Sequence, residues 1–127
     1  MALIEHVALF ADDLPKLRDF YVDVMGMSIL LDNSAAPTPG YFLGDDRGTS
    51  LEIILRPPGA PRAGQRYVCH VAFTVPDVRA FRTKLEAMGL VFETEIDIDT
   101  EEFSTCFFAD PEGNRIQLVR RSKPLGS

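Results

Sequence analysis

The chain contains two histidines, and both begin the same short pattern: His6 opens "HVALF" and His70 opens "HVAFT". A single strand histidine is ordinarily a structural residue, but two at one repeated position point to a shared task. Each has an oxygen-bearing companion at a second repeated position, Glu52 in "SLEIILR" and Gln117 in "NRIQLVRR". An imidazole nitrogen, a carboxylate oxygen and an amide oxygen are all suitable donors to a divalent first-row metal ion. His6, Glu52, His70 and Gln117 are therefore the candidate metal-binding set.

The elements that must position these residues are themselves repeated. "HVALFADDLPKLRDFYVDVMGM" from His6 lies over "HVAFTVPDVRAFRTKLEAMGL" from His70 at a shift of 64, with one residue fewer in the helix region of the second copy. "FLGDDRGTSLEIILR" from Phe42 lies over "FFADPEGNRIQLVRR" from Phe107 at a shift of 65. In each copy an alternating strand leads into an Asp suited to cap a helix, Asp12 or Asp13 in the first and Asp77 in the second. Leu14, Leu17, Phe20 or Tyr21 and Val24 then recur at helical spacing, as do Val78, Phe81, Leu85 and Met88. Gly26 and Gly89 are placed to end the two helices in a left-handed conformation. Short strands follow near 27–32, 40–44 and 50–56, and near 90–97, 103–109 and 115–121, with "DDRG" and "DPEGN" as hairpin turns. The predicted fold is α+β, a βαβββ module at 1–56, a Pro- and Gly-rich linker at 57–66 and a second module at 67–122, one domain over 1–122.

Strand side chains alternate between faces, so parity decides which of them meet. Val7, Leu9, Leu51, Ile53 and Leu55 form the apolar set that should cover the first helix, which puts His6, Ala8 and Glu52 on the opposite face. In the second copy Val71, Phe73, Val75, Ile116 and Leu118 face the helix, leaving His70, Ala72 and Gln117 opposite. If the two sheets face each other across a pseudo-twofold, the four polar side chains converge. Arg56, Arg121, Tyr41, Phe108 and Tyr67 are further candidates to line a substrate cavity.

Composition narrows the remaining classes. Hydrophobic residues at 46% and charged residues at 25% are ordinary globular values. Lys and Arg number 13 against 19 Asp and Glu, a net charge of -6 and the wrong sign for a surface that tracks phosphates. No apolar run approaches the roughly 20 residues that span a bilayer, and the start lacks a basic region ahead of its apolar residues. A cytoplasmic protein without nucleic-acid or membrane partners is expected. Cys69 and Cys106 lack CxxC spacing and sit in predicted strands, where they read as reduced core thiols. The acidic stretch at 95–102 lacks the spacing of a calcium loop and reads as a solvated strand end.

The paired modules, the "HVAL" and "HVAF" starts, the helix end "FYVDVMGM" and the hairpin "DPEGNRIQL" together resemble the vicinal oxygen chelate superfamily, from about Leu3 to Arg121. That superfamily includes glyoxalase I, extradiol dioxygenases, fosfomycin-resistance enzymes, methylmalonyl-CoA epimerase and metal-free bleomycin-binding proteins. The resemblance implies a curved mixed sheet around a metal-containing cavity, with ligands at His6, Glu52, His70 and Gln117 and a divalent ion of nickel, zinc, cobalt, manganese or iron. It also implies a homodimer and a small-molecule substrate held through two adjacent oxygens, where the cation stabilises developing negative charge. Glu52 would then be both ligand and general base. Gln117 departs from the Glu that glyoxalase I-like proteins carry there; an amide coordinates through oxygen but takes no proton at neutral pH, so Glu52 is the single candidate base. The leading expectation is a glyoxalase I-like lyase or isomerase. Two alternatives stand beside it: an Fe(II) extradiol-type dioxygenase using His6, Glu52 and His70 as a facial triad with Gln117 unbound, and a non-catalytic antibiotic-binding protein, against which the absence of Trp weighs.

Overall fold

In a computed structural model of the chain, which describes residues 1, 3–45, 47–60 and 69–127, the βαβββ order expected from the repeat occurs twice. The chain divides into two units, Met1–Arg62 and Ala63–Ser127. The first contains β1 (His6–Ala11), α1 (Leu14–Asp19), a turn of π-helix (Phe20–Val24), β2 (Ser28–Asn33), β3 (Gly40–Gly44) and β4 (Ser50–Leu55). Its sheet order is β1-β4-β3-β2, with β1 parallel to β4 and the other neighbours antiparallel. The second contains β5 (Val71–Thr74), α2 (Val78–Ala87), β6 (Phe92–Asp99), β7 (Phe103–Ala109) and β8 (Arg115–Arg121), in the order β5-β8-β7-β6. There too the first and last strands pair in parallel, which the intervening helix permits by carrying the chain back across the sheet.

Both helices start where an aspartate can satisfy an orphan amide. Asp13 Oδ1 accepts from Lys16 N at 3.1 Å and Asp77 Oδ1 accepts from Ala80 N at 3.0 Å, each cap contributing about 1 kcal/mol. The extra residue in the first copy has a structural meaning. Asp13 and Gly26 are thirteen residues apart and Asp77 and Gly89 twelve, and the surplus is absorbed as the π turn, in which Met25 N donates to Phe20 O at 3.1 Å. Gly26 and Gly89 follow at φ +79° and +91°, the left-handed backbone that lets a helix end abruptly.

The core of each unit lies between its helix and one face of its sheet. Leu17 and Tyr21 are fully buried with Leu43 and Ile53 in the first unit, and Leu85 with Ile116 and Leu118 in the second. Each such aliphatic side chain stabilises its unit by roughly 1.5–3 kcal/mol. Three expected core residues lie outside: Met88 is 54% exposed because α2 ends one residue before it, Val7 is 48% exposed on an edge strand, and Leu55 is 39% exposed at the end of β4. The cysteines part company as well. Cys106 is buried in β7, while Cys69 is exposed ahead of β5 and so is not a core thiol. Among the described residues, no helix is long and apolar enough to cross a membrane.

Candidate functional site

In the first unit, the parallel register of β1 and β4 sets Ala8 beside Glu52, and the antiparallel register of β3 and β4 sets Phe42 on its other side. Glu52 is therefore flanked by a methyl group and a ring, neither of which competes for its oxygens. His6 reaches the same face from two residues earlier on β1. Its Nε2 lies 3.6 Å from Glu52 Oε1, its Nδ1 lies 2.9 Å from Glu5 Oε1, and its ring stands edge-on to Phe42 with centroids 5.2 Å apart at 89°. In the neutral tautomer that carries its proton on Nδ1, facing Glu5, Nε2 turns a lone pair toward the Glu52 carboxylate, and two acceptors face each other across a gap too wide for a hydrogen bond. Donors that sit about 2.0–2.2 Å from one cation bridge such a gap, so this pair fits a divalent ion. The His6 side chain is 35% exposed and that of Glu52 21%, which leaves both accessible.

The second unit repeats the pattern with one change of chemistry. Ala72 pairs with Gln117 across β5 and β8, and Phe107 pairs with it across β7 and β8. His70 stands edge-on to Phe107, with centroids 5.4 Å apart at 85°. Gln117 is not loose: its Nε2 donates to Thr105 Oγ1 at 2.8 Å, and Thr105 Oγ1 donates to Leu118 O at 2.7 Å. Each unit thus offers one imidazole, one aromatic ring against its edge and one side-chain oxygen. Among the described residues, no group of three or more His, Cys, Asp and Glu side chains clusters to hold an ion.

The other sequence candidates are placed less uniformly. Tyr41 and Phe108 are not on the donor faces. Tyr41 pairs with Ile53 and its hydroxyl accepts from α1 Arg18 Nη1 at 2.9 Å, while Phe108 pairs with Ile116, so both belong to the helix-covered side. Their neighbours Phe42 and Phe107 hold the positions expected of them. Arg56 lies over the Phe10 ring at 5.9 Å with Nε 3.0 Å from Asp12 Oδ1, and Arg121 lies over Phe103 at 4.7 Å. Both arginines follow Glu52 and Gln117 by four residues and so share their faces. Tyr67 lies outside the described residues. A hollow of about 480 Å³ in the first unit is lined by Asp12, Ser34, Tyr41 and Leu55 among others, and contains neither His6 nor Glu52.

Two residues carry a role that the sequence reading missed. The Arg115 guanidinium lies 3.8 Å from the Phe107 centroid and is held bidentately by Glu93, with Nε and Nη2 at 2.9 and 3.1 Å from its oxygens. The ring that supports His70 is thereby braced by a cation. The signal was present in the repeat, because the alignment places Arg115 opposite Ser50 and so marks a difference between the copies. Away from the donor faces, burial pushes the Cys106 thiol up to about 11, with nearby Arg82 opposing the shift. The Ser104 hydroxyl, donating to Asp99, holds that carboxyl below its usual range.

Comparison with known proteins accords with this architecture. Residues 3–118 match the family described as the Glyoxalase/Bleomycin resistance protein/Dioxygenase superfamily. A biphenyl-2,3-diol 1,2-dioxygenase of Rhodococcus globerulus is 26% identical over 91% of this chain, which spans only 61% of that enzyme's length. A probable lactoylglutathione lyase of Vibrio cholerae is 28% identical over 94% of this chain and 91% of its own. Among solved structures, TnmS3, an antibiotic binding protein from Streptomyces sp. CB03234, superposes with a TM-score of 0.77 at 23% identity, covering 96% of this chain and 98% of that one.

Proposed function

Because the chain belongs to the glyoxalase/bleomycin resistance protein/dioxygenase superfamily, we propose that it is a metal-dependent lyase or isomerase of the glyoxalase I type, acting on a small molecule with two adjacent oxygens. The observation that carries the reading is an imidazole nitrogen and a carboxylate oxygen 3.6 Å apart, His6 Nε2 and Glu52 Oε1, with an imidazole and an amide oxygen at the equivalent positions of the second unit. His6, Glu52, His70 and Gln117 are the proposed holders of a divalent ion. When bound, the ion would supply positive charge where an enolate oxygen develops.

The chain's own residues divide the remaining work. Glu52 takes the proton from the carbon next to the substrate carbonyl and returns it to the neighbouring carbon. It is suited to this because Ala8 and Phe42 beside it offer no hydrogen bond, so its oxygens stay available. Gln117 holds without exchanging protons. His6 is kept in one tautomer by Glu5. Arg56 and Arg121, at equivalent ends of β4 and β8, are proposed to meet an anionic group on the substrate.

The test begins with elemental analysis of the purified protein and a titration with Zn²⁺, Ni²⁺, Co²⁺, Mn²⁺ and Fe²⁺. Deuterium exchange at the carbon next to the carbonyl is then followed by NMR across a panel of 2-oxoaldehyde thiol adducts and 2-methyl-3-oxo thioesters. The expected result is exchange with the metal-loaded wild type, lost in Glu52→Gln. Metal-loaded wild type that exchanges no proton on any substrate, or that consumes oxygen with catechols instead, overturns the reading.

A further inference from the structure

The Gln117 side chain is the end of a chain of hydrogen bonds whose direction can be read link by link. The Thr105 hydroxyl has one proton, and it donates it to the main-chain carbonyl of Leu118 at 2.7 Å. What Thr105 then presents to Gln117, 2.8 Å away, is a lone pair. Only the NH₂ end of the amide can satisfy a lone pair, so Nε2 is the atom turned to Thr105 and Oε1 is the other terminus of the same planar group. Oε1 takes no partner among the described residues. Thr105 is itself 2% exposed, so no water competes freely for its hydroxyl.

The first unit lacks this device for a steric reason. The position equivalent to Thr105 is Gly40, and the carbonyl equivalent to Leu118 O is Ile53 O. A Cβ built on Gly40 would stand 2.7 Å from Ile53 O, closer than atoms of these types pack, so no hydroxyl-bearing side chain fits without moving the strand. Glu52 therefore has no equivalent tether, whereas Gln117 does. The tether is set for an amide: a carboxylate at 117 would be held only if Thr105 turned its proton away from Leu118 O, which keeps Cys106 N as its partner in the β7–β8 ladder.

We infer that Thr105 is a positioning residue for Gln117: by spending its proton on Leu118 O it fixes the amide with Oε1 outward as a metal donor. This rests on the proposed metal-binding role of Gln117. The two are separable, because the tether is observable in metal-free protein and the metal is observable without a substrate.

The experiment compares Thr105→Val, which keeps the shape and loses the hydroxyl, with Thr105→Ser, which keeps the hydroxyl, each in the native and in the Gln117→Ala background. Two readouts are taken: the dissociation constant for Zn²⁺, and the side-chain NH₂ resonances of Gln117 in metal-free protein, assigned by their loss in Gln117→Ala. Thr105→Val is expected to weaken Zn²⁺ binding about 10- to 100-fold, the usual effect of removing a group that orients a ligand. It should also shift the Gln117 NH₂ pair and speed its exchange with water. Thr105→Ser should restore both, and neither variant should weaken binding further once Gln117 is alanine. Equal loss from Thr105→Val in both backgrounds would mean a general structural role and overturn the inference, as would Zn²⁺ affinity within twofold of wild type. A wild type that binds no Zn²⁺, Ni²⁺, Co²⁺, Mn²⁺ or Fe²⁺ overturns the metal reading itself, whatever the NH₂ resonances show. If Thr105→Val does not fold, Thr105→Ala is taken through the same cycle with the same outcomes.

Discussion

Removing the Asp110 carboxylate should loosen the hairpin that carries the Gln117 end of the site. Asp110 is 4% exposed at the β7–β8 turn. Its Oδ1 accepts from the main-chain amides of Glu112 and Asn114, both at 2.9 Å, and its Oδ2 accepts from Asn114 Nδ2 at 2.9 Å. The main chain closes around it, with Asp110 N donating to Asn114 O and Gly113 N to Asp110 O, at a Gly113 φ of +85°. A hydrogen bond to a charged acceptor contributes about 1.5–3 kcal/mol net, but the two amides at Oδ1 can be rehydrated at a turn, so Asp110→Ala should cost about 3 kcal/mol in all rather than the full sum. At a urea m-value near 1.5 kcal/mol/M, that is a fall of about 2 M in the unfolding midpoint with m unchanged. Asp110→Asn keeps the Oδ1 acceptor, and the Asn114 amide can turn over to meet the new NH₂, so it should lose only about 1 kcal/mol. The repeat supplies a control: the equivalent Asp45 is exposed and accepts from Arg47 N at 2.7 Å, and Asp45→Ala should cost about 0.5–1 kcal/mol. The assay is urea denaturation followed by circular dichroism. A midpoint for Asp110→Ala within about 0.5 M of wild type, or equal losses from the alanine and asparagine variants, would refute the assignment of these bonds as the hairpin's anchor.

Other expected outcomes follow from single features. Gly40→Ala must push β3 away from Ile53 O, and should cost about 1–3 kcal/mol in urea unfolding, as overpacking does. Leu85→Ala, at a fully buried position on α2, should cost about 2–5 kcal/mol by the same assay. Native protein at pH 8 should react with a thiol reagent at exposed Cys69 and not at buried Cys106, whose second thiol equivalent appears only in denaturant. Because burial raises the Cys106 thiol to about 11 against an unfolded value near 8.5, its contribution is fully present below about pH 8.5 and declines as pH rises toward 11. The alkaline loss in urea midpoint should be smaller in Cys106→Ala than in wild type.

How far the sequence carries the fold depends on what kind of information each residue holds. The repeat was legible because His6 and His70, Asp45 and Asp110, and Glu52 and Gln117 recur at fixed shifts, and a duplicated pattern can hardly fold into two different topologies. Parity then placed Glu52 and Gln117 opposite the helix-facing residues of their own strands, as found. Parity gives no assignment for the middle strands, because "GYFLG" and "FSTCFFA" carry bulky side chains on both faces. Nothing local distinguishes Tyr41 from Phe42 or Phe108 from Phe107, and only the cross-strand register opposite Glu52 and Gln117 does. The repeat itself pairs Phe42 with Phe107. The gap in the helix alignment was visible too, but that it becomes a π turn rather than a looped-out residue depends on how Phe20 and Tyr21 pack, both being buried.

The two halves share a topology and differ at most positions of their sequences, so a difference in task between them is to be sought where the differing positions adjoin the donor faces. Three such differences act in the same direction. Glu52 against Gln117 separates a group that can accept a proton from one that cannot. Gly40 against Thr105 leaves the first without a tether and gives the second a buried hydroxyl partner. Ser50 against Arg115 means that the position whose cation braces Phe107 at 3.8 Å supplies no cation to Phe42. A base must turn its carboxylate between the atom it deprotonates and the atom it reprotonates, whereas a ligand that only holds gains from losing that freedom before binding, since ordering it later would cost entropy. On the proposed reading the first unit is the working half and the second the fixed half. Reversing the halves should then take more than the carboxylate. Glu52→Gln combined with Gln117→Glu should not transfer the base, because Thr105 would still tether the group at position 117, turning its hydroxyl to donate to the carboxylate introduced there. Adding Thr105→Gly to that pair should recover proton exchange that the double variant lacks, measured by the same deuterium assay. Equal exchange in the double variant and in wild type would refute the division.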